Sequence, residues 1–375
     1  MSAIALELIR HRVRIGTPLA FAIRAQDDTL LLAAGQSVSS PSQLQQMIDR
    51  DARVAMDDLL GSAEQLRQAP REVVPLLWRE GLSRVNEALL HAPHHAFRSA
   101  LEDASEPVMT LVERDPDLAI FQVLRHDAGA DLAYGVQRAL NTAITASLVA
   151  QRLAWSPADV SRVFKAALTS NLSMLALQGE LARQRTPLTP AQAHQLQDHP
   201  LRSAAQLETA GVADADWLHA VRAHHEMEDG TGYPRGLSGR GVGDLASLVR
   251  RADVYTSKLA ARSHREALSA DIAGRQMFMS DPGHPMTAAL VKEFGVYPPG
   301  CQVRLADGSS GWVVQRGPTV TTPMVARMTE PDGRPLRQPQ RVDTSDGAHR
   351  IVAVLGQRVV NAAATADKLL LMTLR

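Results

Sequence analysis

The sequence predicts a mainly α-helical protein, with a central helical bundle flanked by a small N-terminal α+β module and a small C-terminal β-subdomain. The chain of 375 residues is 45% hydrophobic and 21% charged, which is typical of a globular protein with a sizeable core. Aromatic residues make up only 4%, and this argues against a protein built mostly of sheet. A helical apolar pattern fills residues 134–295, and short alternating runs follow it.

The N-terminal α+β module is predicted over residues 1–65. Residues 12–35 contain short β-like runs separated by a Gln-Asp-Asp turn. Ser40 followed by Pro41 is the pattern of an N-cap with proline at the first helical position, so a helix is predicted to begin there. Residues 66–133 are then predicted as a helical linker region.

The helical domain is predicted over residues 134–297. Its first helix carries Leu140, Ile144 and Leu148 on one stripe. Further helix starts are predicted where Ser or Thr precedes proline, and one more is predicted at the His-Pro dipeptide. These starts are Ser156-Pro157, Thr189-Pro190 and His199-Pro200.

A C-terminal β-extension with a terminal helix is predicted over residues 298–375. Alternating runs near 303–305, 311–315 and 324–328 are separated by Asp-Gly turns, which is typical of short antiparallel strands. The terminal helix is predicted near 357–373.

Charge and cysteine content exclude several classes of protein. Forty Lys and Arg balance forty Asp and Glu, so no overall basic surface predicts a nucleic-acid partner. Cys301 is the one cysteine, which excludes a disulfide within the chain and a cysteine-based zinc site. No apolar run approaches the ~20 residues of a membrane span. With charges inside its apolar N-terminal stretch, the chain is expected to be cytoplasmic; its oligomeric state is not predicted.

The strongest chemical signal is a histidine pair followed by a glycine-rich loop. His224 and His225 precede a segment that contains Asp229, Gly230, Gly232, Tyr233 and Pro234. Adjacent imidazoles offer ligands for a metal, and the loop offers free backbone amides. The plainer interpretation is a pair of histidines at a helix end followed by a turn that needs glycine.

The segment HHEMEDGTGYPRGL resembles the signature loop of HD-GYP domains, a helical branch of the metal-dependent HD phosphohydrolases. The resemblance extends from about residue 134 to residue 300. It implies an HD-type helical bundle with a site for two or three metal ions, usually iron or manganese. It also implies cyclic di-GMP as substrate, attacked by a metal-bridging hydroxide.

The resemblance carries over to only part of the ligand set. Four positions match the family's metal ligands, namely His199, His224, His225 and Asp253. Four are replaced: Arg138 stands for a histidine, Ser170 for a second histidine, Asn171 for the bridging aspartate and Met174 for a lysine. Arg262 and Arg265 match the basic pair that family members use to hold ligand phosphate.

The replacements disfavour a pair of ions. Two ions about 3.5–4 Å apart need a shared anion to offset their repulsion, and the amide of Asn171 has no charge. Arg138 adds a permanent positive charge, worth on the order of 8 kcal/mol of repulsion against a divalent ion 4 Å away at an effective dielectric of 20, as an upper illustration. We therefore expect no dinuclear centre and no catalytic residues at the replaced positions.

Several alternatives remain open. The four matched residues hold either one divalent ion (Fe, Mn or Zn) or none, as hydrogen-bonded relics. Arg138 either binds phosphate directly or forms an internal salt bridge with Asp253. Arg262 and Arg265 either contact phosphate or lie on a solvated helix face. The Tyr233 loop either contacts a partner protein or serves packing alone.

The function predicted is that of a catalytically impaired HD-GYP protein in cyclic di-GMP signalling, acting as a nucleotide-binding effector or a protein-interaction module. The alternative is an active metal-dependent phosphodiesterase or phosphohydrolase with an altered, single-metal site. The missing bridge at Asn171 together with Arg138 favours the first.

Overall fold

A computed structural model describes residues 3–19, 21–55, 58, 63–90, 96–124, 131–263, 265–355 and 372–373. Contacts divide the chain into two compact units, residues 1–84 with 106–111, and residues 85–105 with 112–375. The helices, in chain order, are α1 (Pro41–Ile48), α2 (Ala63–Gln68), α3 (Val74–Leu90), α4 (Phe97–Arg114), α5 (Pro116–Leu124), α6 (Asp131–Arg152), α7 (Pro157–Thr169), α8 (Leu175–Arg183), α9 (Pro190–Thr209), α10 (Ala215–Ala223), α11 (Asp244–Leu259), α12 (Ala270–Ser280) and α13 (Pro285–Phe294). The strands are β1 (Ala3–Ala5), β2 (Ile23–Arg24), β3 (Leu30–Leu32), β4 (Arg53–Ala55), β5 (Gln302–Leu305), β6 (Ser310–Gln315), β7 (Met324–Thr329), β8 (Pro335–Asp343) and β9 (Ile351–Leu355).

The first unit contains a small antiparallel sheet with the strand order β1-β4-β2-β3. The Ser40 side chain accepts a hydrogen bond from the backbone N–H of Gln43, so the predicted N-cap of α1 is confirmed. Asp28 lies in the turn between β2 and β3 with φ of 68°, a left-handed conformation that Asp tolerates. The α+β character predicted for the N-terminal module is therefore present.

The second unit is built around α6, which packs against α7, α8 and α11. Apolar side chains such as Leu140, Ile144 and Val149 are buried on all sides of this helix, which is typical of a helix in the centre of a bundle. Several polar side chains of α6 are buried as well, and among them Arg138 faces α11. The central helix thus brings a charged group into the core.

The prediction of a helix start at His199-Pro200 is wrong, because α9 runs through Pro200 without a break. The helix begins at Thr189, whose side chain and that of Gln192 form a reciprocal capping box. A proline inside a helix leaves the carbonyl four residues earlier without its usual N–H donor. Here that carbonyl belongs to Leu196, and it accepts a hydrogen bond from the ring Nδ1 of His199 instead.

The C-terminal strands form a five-stranded antiparallel sheet with the order β8-β7-β6-β5-β9. Its core includes Val303, Leu305, Val313 and Val325. Gly308 and Gly333 adopt φ of 92° and 86° in the predicted Asp-Gly turns, a conformation that glycine permits. Nearly all of the terminal helix predicted near 357–373 lies outside the described residues.

The fold class predicted from the sequence is confirmed: a mainly α-helical bundle with two small sheets. The four domain boundaries predicted from the sequence stay predictions. None of the helices in the described ranges combines the length and the apolarity that a bilayer crossing requires.

Candidate functional site

Three histidine side chains converge inside the helical unit. His199 lies on α9, while His224 and His225 follow directly after α10. One ring nitrogen from each of the three lies within 4.8 Å of the others. The Nε2 atoms of His199 and His224 are only 3.1 Å apart. The histidines at the matched positions are thus brought together at one point.

Backbone carbonyls fix the orientation of two of these rings. His199 Nδ1 lies 2.6 Å from the carbonyl oxygen of Leu196, and His224 Nδ1 lies 2.7 Å from that of Val221. A carbonyl only accepts, so each Nδ1 carries the proton and donates it. The Val221 carbonyl is available because α10 ends two residues later, and the Leu196 carbonyl is available because Pro200 has no N–H.

The two facing Nε2 atoms therefore both present lone pairs. Burial, followed by the charge of a neighbouring imidazole, lowers the pKa of His199, His224 and His225 to about 3, so all three rings are neutral at pH 7. Two lone pairs aimed at each other across 3.1 Å repel unless a cation lies between them. Neutral imidazoles whose other nitrogen donates to a carbonyl are the arrangement of a metal site. The three histidines fit one divalent ion.

Arg138 and Asp253 form a buried ion pair beside the histidines. Arg138 Nη2 lies 2.6 Å from Asp253 Oδ1, with both side chains about nine-tenths buried. The structure thus shows the internal salt bridge that was one of the two alternatives for Arg138. The other terminal nitrogen, Nη1, is buried without a hydrogen-bond partner among the described residues. Asp253, expected as a fourth metal ligand, is engaged by this guanidinium instead.

The side chains at three of the replaced positions, Asn171, Ser170 and Met174, carry no charge. Asn171 Nδ2 donates to Ser170 Oγ at 3.2 Å, while Asn171 Oδ1 is buried with no partner in the described part of the chain. Ser170 Oγ donates in turn to the carbonyl of Ala167 at 3.0 Å. Met174 is buried and lines the cavity. Among the described residues, this half of the site does not fit a second ion, since the residue matched to the bridging aspartate, Asn171, offers no anion.

Arg262 and Arg265 do not lie on a helix, so the interpretation as a solvated helix face is wrong. Helix α11 ends at Leu259, and the two arginines exchange backbone hydrogen bonds of 2.8 and 3.0 Å across a tight turn. Arg262 lines the cavity and donates through Nη2 to Ser257 Oγ. Arg265 Nε is buried without a partner among the described residues. Two guanidiniums therefore stand near Arg138 with no carboxylate paired to either within this part of the chain.

The glycine-rich loop folds back on the site. Tyr233 stacks on His225, with ring centroids 4.7 Å apart and an angle of 17° between the rings. Gly232 passes so close to the chain that an added Cβ would lie 2.4 Å from Glu226 Cα, which explains the need for glycine. Asp229 accepts from the N–H and hydroxyl of Thr231 and lies at the exposed tip.

Two carboxylates that the sequence analysis did not single out hold this loop. Glu226 is fully buried and accepts the backbone N–H groups of Arg235 and Leu237 at 2.6 and 3.0 Å. Burial acts to raise the pKa of Glu228, but hydrogen bonds from Ser247 and Arg251 lower it to about 2. The sequence offered one signal for the role of Glu226, which is its position directly after the histidine pair and before the glycine-rich loop. A carboxylate that is buried there must accept hydrogen bonds from nearby donors.

A cavity of about 690 Å³ opens onto these groups. At one end lie His199, His225, Arg138 and Asp253, and Tyr233 forms part of the wall. The rest of the wall comes largely from α8, α9 and the loop between them. It combines apolar side chains such as Leu181, Pro187 and Leu196 with polar ones such as Gln184 and Arg185. A charged end and a wall with both apolar and polar side chains suit a ligand that carries both an anion and a flat group with polar edges.

Comparison with known proteins places the site in a family. The family model described as HD domain matches residues 123–278. A cyclic di-GMP phosphodiesterase of Pseudomonas aeruginosa is 27% identical over 73% of this chain and 64% of its own length. A 3'3'-cGAMP-specific phosphodiesterase of Vibrio cholerae is 27% identical over 51% of this chain and 43% of its own length. The response regulator RpfG of Xanthomonas campestris, a cyclic di-GMP phosphodiesterase, is 33% identical over 34% of each chain.

A solved structure shares the fold. An HDG"Y"P protein from Bdellovibrio bacteriovorus superposes with a TM-score of 0.51, at 14% identity, over 78% of this chain and 98% of its own. The chain spans about two-thirds or less of the length of the curated relatives described above. The matched residues 123–278 contain the three histidines, Arg138 and Asp253. The chain therefore contains an HD domain, at residues 123–278.

Proposed function

We propose that this chain is a catalytically impaired HD-GYP-type protein that acts in cyclic di-GMP signalling as a nucleotide-binding effector. The observation that carries the proposal is the buried ion pair between Arg138 and Asp253. It places a permanent cation, together with a matched carboxylate, where the resemblance to the family expects metal ligands. A guanidinium stays protonated in a protein, so it does not vacate the position for an ion.

The neutral side chain of Asn171 supports the loss of two-ion chemistry. A second ion beside the histidine-bound one needs a shared carboxylate, and Asn171 supplies an amide whose Oδ1 bears only a partial charge. Ser170 is a weak ligand for such an ion, and its hydroxyl already donates to Ala167. Hydrolysis through a hydroxide shared by two ions therefore has no support from the residues present.

The arginines give the pocket a way to bind a phosphodiester directly. Arg138 and Arg262 line the cavity and bring two positive charges against the one carboxylate of Asp253 among its described lining residues, while Arg265 lies close to both arginines and donates to the backbone carbonyl of Ser257. Arg138 Nη1 is buried and lacks a partner in the described part of the chain. A buried donor without a partner is costly, and a phosphate oxygen satisfies it with a charge-assisted hydrogen bond. The wall next to these arginines, with its apolar and polar side chains, suits a nucleobase.

A second candidate function is a phosphodiesterase or phosphohydrolase with a single-metal site. The convergence of His199, His224 and His225 favours it, because neutral imidazoles with fixed Nδ1–H groups fit one divalent ion (Fe, Mn or Zn). Such an ion supplies a Lewis acid and a water of lowered pKa. Arg138 and Arg262 then hold the phosphodiester near that position.

Titration calorimetry with cyclic di-GMP, together with chromatography of the mixture, separates the two functions. The effector function predicts binding in the presence of a chelator and no linear product. Arg262→Gln is expected to weaken binding by about tenfold through the loss of one charge-assisted contact. Arg240→Gln, an exposed arginine outside the cavity lining, is the matched control and is expected to leave the affinity unchanged.

Turnover that needs added Mn²⁺ would favour the single-metal enzyme instead. Absence of both binding and turnover would leave the protein-interaction role. In that case the partner is expected to contact the Tyr233 loop, and Tyr233→Ala is expected to weaken its capture. A substitution of Asp229, at the exposed tip of the same loop, serves as the comparison with Tyr233→Ala, because Asp229 does not stack on a histidine.

A further inference from the structure

A second cavity is separate from the proposed nucleotide pocket, because the two share none of their described lining residues. It has a volume of about 670 Å³ and is bordered by α12, α13 and the loop between β6 and β7. Gly274 lines the groove, and an added Cβ there would meet the Val291 side chain at 3.9 Å, an ordinary contact distance. The groove lies where α12 and α13 pack side by side.

The walls of the groove are apolar and exposed. Met279 is 78% exposed, Val320 69% and Phe278 47%, and all three line the cavity. Single exposed apolar residues are ordinary on a protein surface, but several that share one concave patch mark a binding surface. Here they come from a helix and a loop that are far apart in the sequence.

The charged residues of the groove are mostly positive. Among the described residues, the lining contains Arg152, Arg275 and Lys292 against the carboxylate of Asp271. Arg152 is paired with Glu293 at 2.6 Å, and Arg275 is 79% exposed and 3.5 Å from Asp271. Lys292 is exposed and has no carboxylate within 4.0 Å in the described part of the chain. A surface pair such as Arg275 with Asp271 contributes little and leaves the cation available to a partner.

The secondary structure around the groove favours a helical partner over an extended peptide. The lining residues that the structure describes all lie in helices or loops, and none of them belongs to a strand. An extended peptide bound here would leave its backbone N–H and carbonyl groups unpaired against apolar walls, which is costly. A helix satisfies its own backbone and presents apolar side chains on one face. Acidic residues beside that face would meet Lys292 and Arg275.

From these observations we infer that the groove between α12, α13 and the β6–β7 loop binds an acidic amphipathic helix of a partner protein. The apolar face of that helix packs on Phe278, Met279 and Val320. Its acidic flank pairs with Lys292 and Arg275 at the rim. The surface is separate from the Tyr233 loop, so a partner bound here leaves the nucleotide pocket open.

Two synthetic helical peptides of about 14 residues, constrained by a side-chain staple, serve as probes for the full chain. Both carry leucines at helical spacing, and one has glutamates and the other lysines at the remaining positions. Fluorescence anisotropy at low salt is expected to show the acidic peptide binding at least tenfold more tightly than the basic one. Added salt is expected to reduce that difference.

Matched variants locate the binding. Phe278→Ser and Lys292→Glu are each expected to weaken the acidic peptide at least tenfold. Val352→Ser removes an exposed valine that is 49% exposed and does not line the groove, and it is expected to change the affinity less than twofold. Circular dichroism of each variant confirms that the fold is retained.

Three outcomes overturn the inference. The first is equal binding of the two peptides, or binding that Phe278→Ser leaves unchanged. The second is no binding of the acidic peptide by the full chain. The third is a concentration-dependent dimer in sedimentation that Met279→Ser dissolves, since the groove then receives a second copy of this chain.

Discussion

The two ends of the HD pocket treat charge in opposite ways. At the histidine end, His199 and His224 are neutral, each is held by a carbonyl, and both aim a lone pair at one point. At the arginine end, Arg138 brings a permanent cation that Asp253 already neutralises. One end is prepared to receive a cation, and the other contains its own. The difference teaches that one cavity can offer lone pairs to a cation at one end and hold a built-in, already paired cation at the other.

The largest expected effect comes from rebuilding the arginine end as a metal site. The triple variant Arg138→His, Ser170→His and Asn171→Asp restores two imidazoles and a bridging carboxylate. We expect the protein to rise from one bound Mn²⁺ per chain to two, as measured by elemental analysis after gel filtration. Turnover of cyclic di-GMP is expected to appear with the second ion.

The variant Asn171→Asp alone is the control, since it adds the bridge and leaves Arg138 in place. It is expected to keep one ion per chain. If the single variant already binds two ions, Arg138 is not what excludes the second.

Removing the internal cation should destabilise the fold strongly. Arg138→Met leaves the Asp253 carboxylate buried without its partner, so the free energy of unfolding is expected to fall by about 3–5 kcal/mol. Urea denaturation measures this. The double variant Arg138→Met with Asp253→Leu removes both charges and should recover most of the loss.

An exposed pair provides the comparison for that experiment. Arg334 is 80% exposed beside Asp332, and Arg334→Met is expected to change the free energy of unfolding by less than about 1 kcal/mol. A loss of that small size at Arg138 would show that water reaches the ion pair.

The histidine end should make the protein sensitive to acid when metal is removed. The pKa of each buried histidine is lowered to about 3, against about 6.5 in the unfolded chain. Below pH 6.5 the unfolded chain takes up protons that the folded chain does not, so stability falls as pH drops from about 6.5 to about 3.

Between pH 7 and pH 5 the loss is expected to reach at most about 2 kcal/mol for each histidine. Urea titrations in chelator at several pH values measure it. His224→Asn is expected to give a shallower dependence on pH than the unchanged protein. A profile that the substitution does not alter would mean that His224 titrates normally in the folded state.

The smallest expected effect is that of Pro200→Ala, which should change metal affinity and leave the free energy of unfolding intact. Pro200→Ala returns a backbone N–H that competes with His199 Nδ1 for the Leu196 carbonyl. Metal affinity is expected to fall about tenfold, as for other losses of a partner behind a ligand, while the free energy of unfolding does not fall. Pro190→Ala is the control, because Pro190 occupies the first position of the same helix and has no helical carbonyl to release.

The fold was largely predictable because its signals are local. Ser156 before Pro157 and Thr189 before Pro190 cap the helices that were expected to start there, since a cap needs only its own turn. Pro200 misled the prediction because its cost to the helix is offset by a side chain, His199, that takes the released carbonyl. A rule about proline alone does not contain that contact.

The site was predictable as a set of residues and not as a set of contacts. The family pattern identified His199, His224 and His225, which the structure brings together. It did not predict that Glu226 accepts hydrogen bonds from the loop amides, because those contacts depend on how residues 235 and 237 fold back towards Glu226. The pairing of Arg138 with Asp253 joins residues 115 positions apart, and the sequence alone does not decide between this salt bridge and direct binding of phosphate by Arg138.

Arg138 is part of the chain itself, so every folded molecule contains its buried guanidinium. Neither iron starvation nor oxidation of a metal ion removes it, and no chelator competes for it. Under the proposed function, the part of the pocket that Arg138 forms therefore keeps its positive charge whatever the supply of transition metals in the cell.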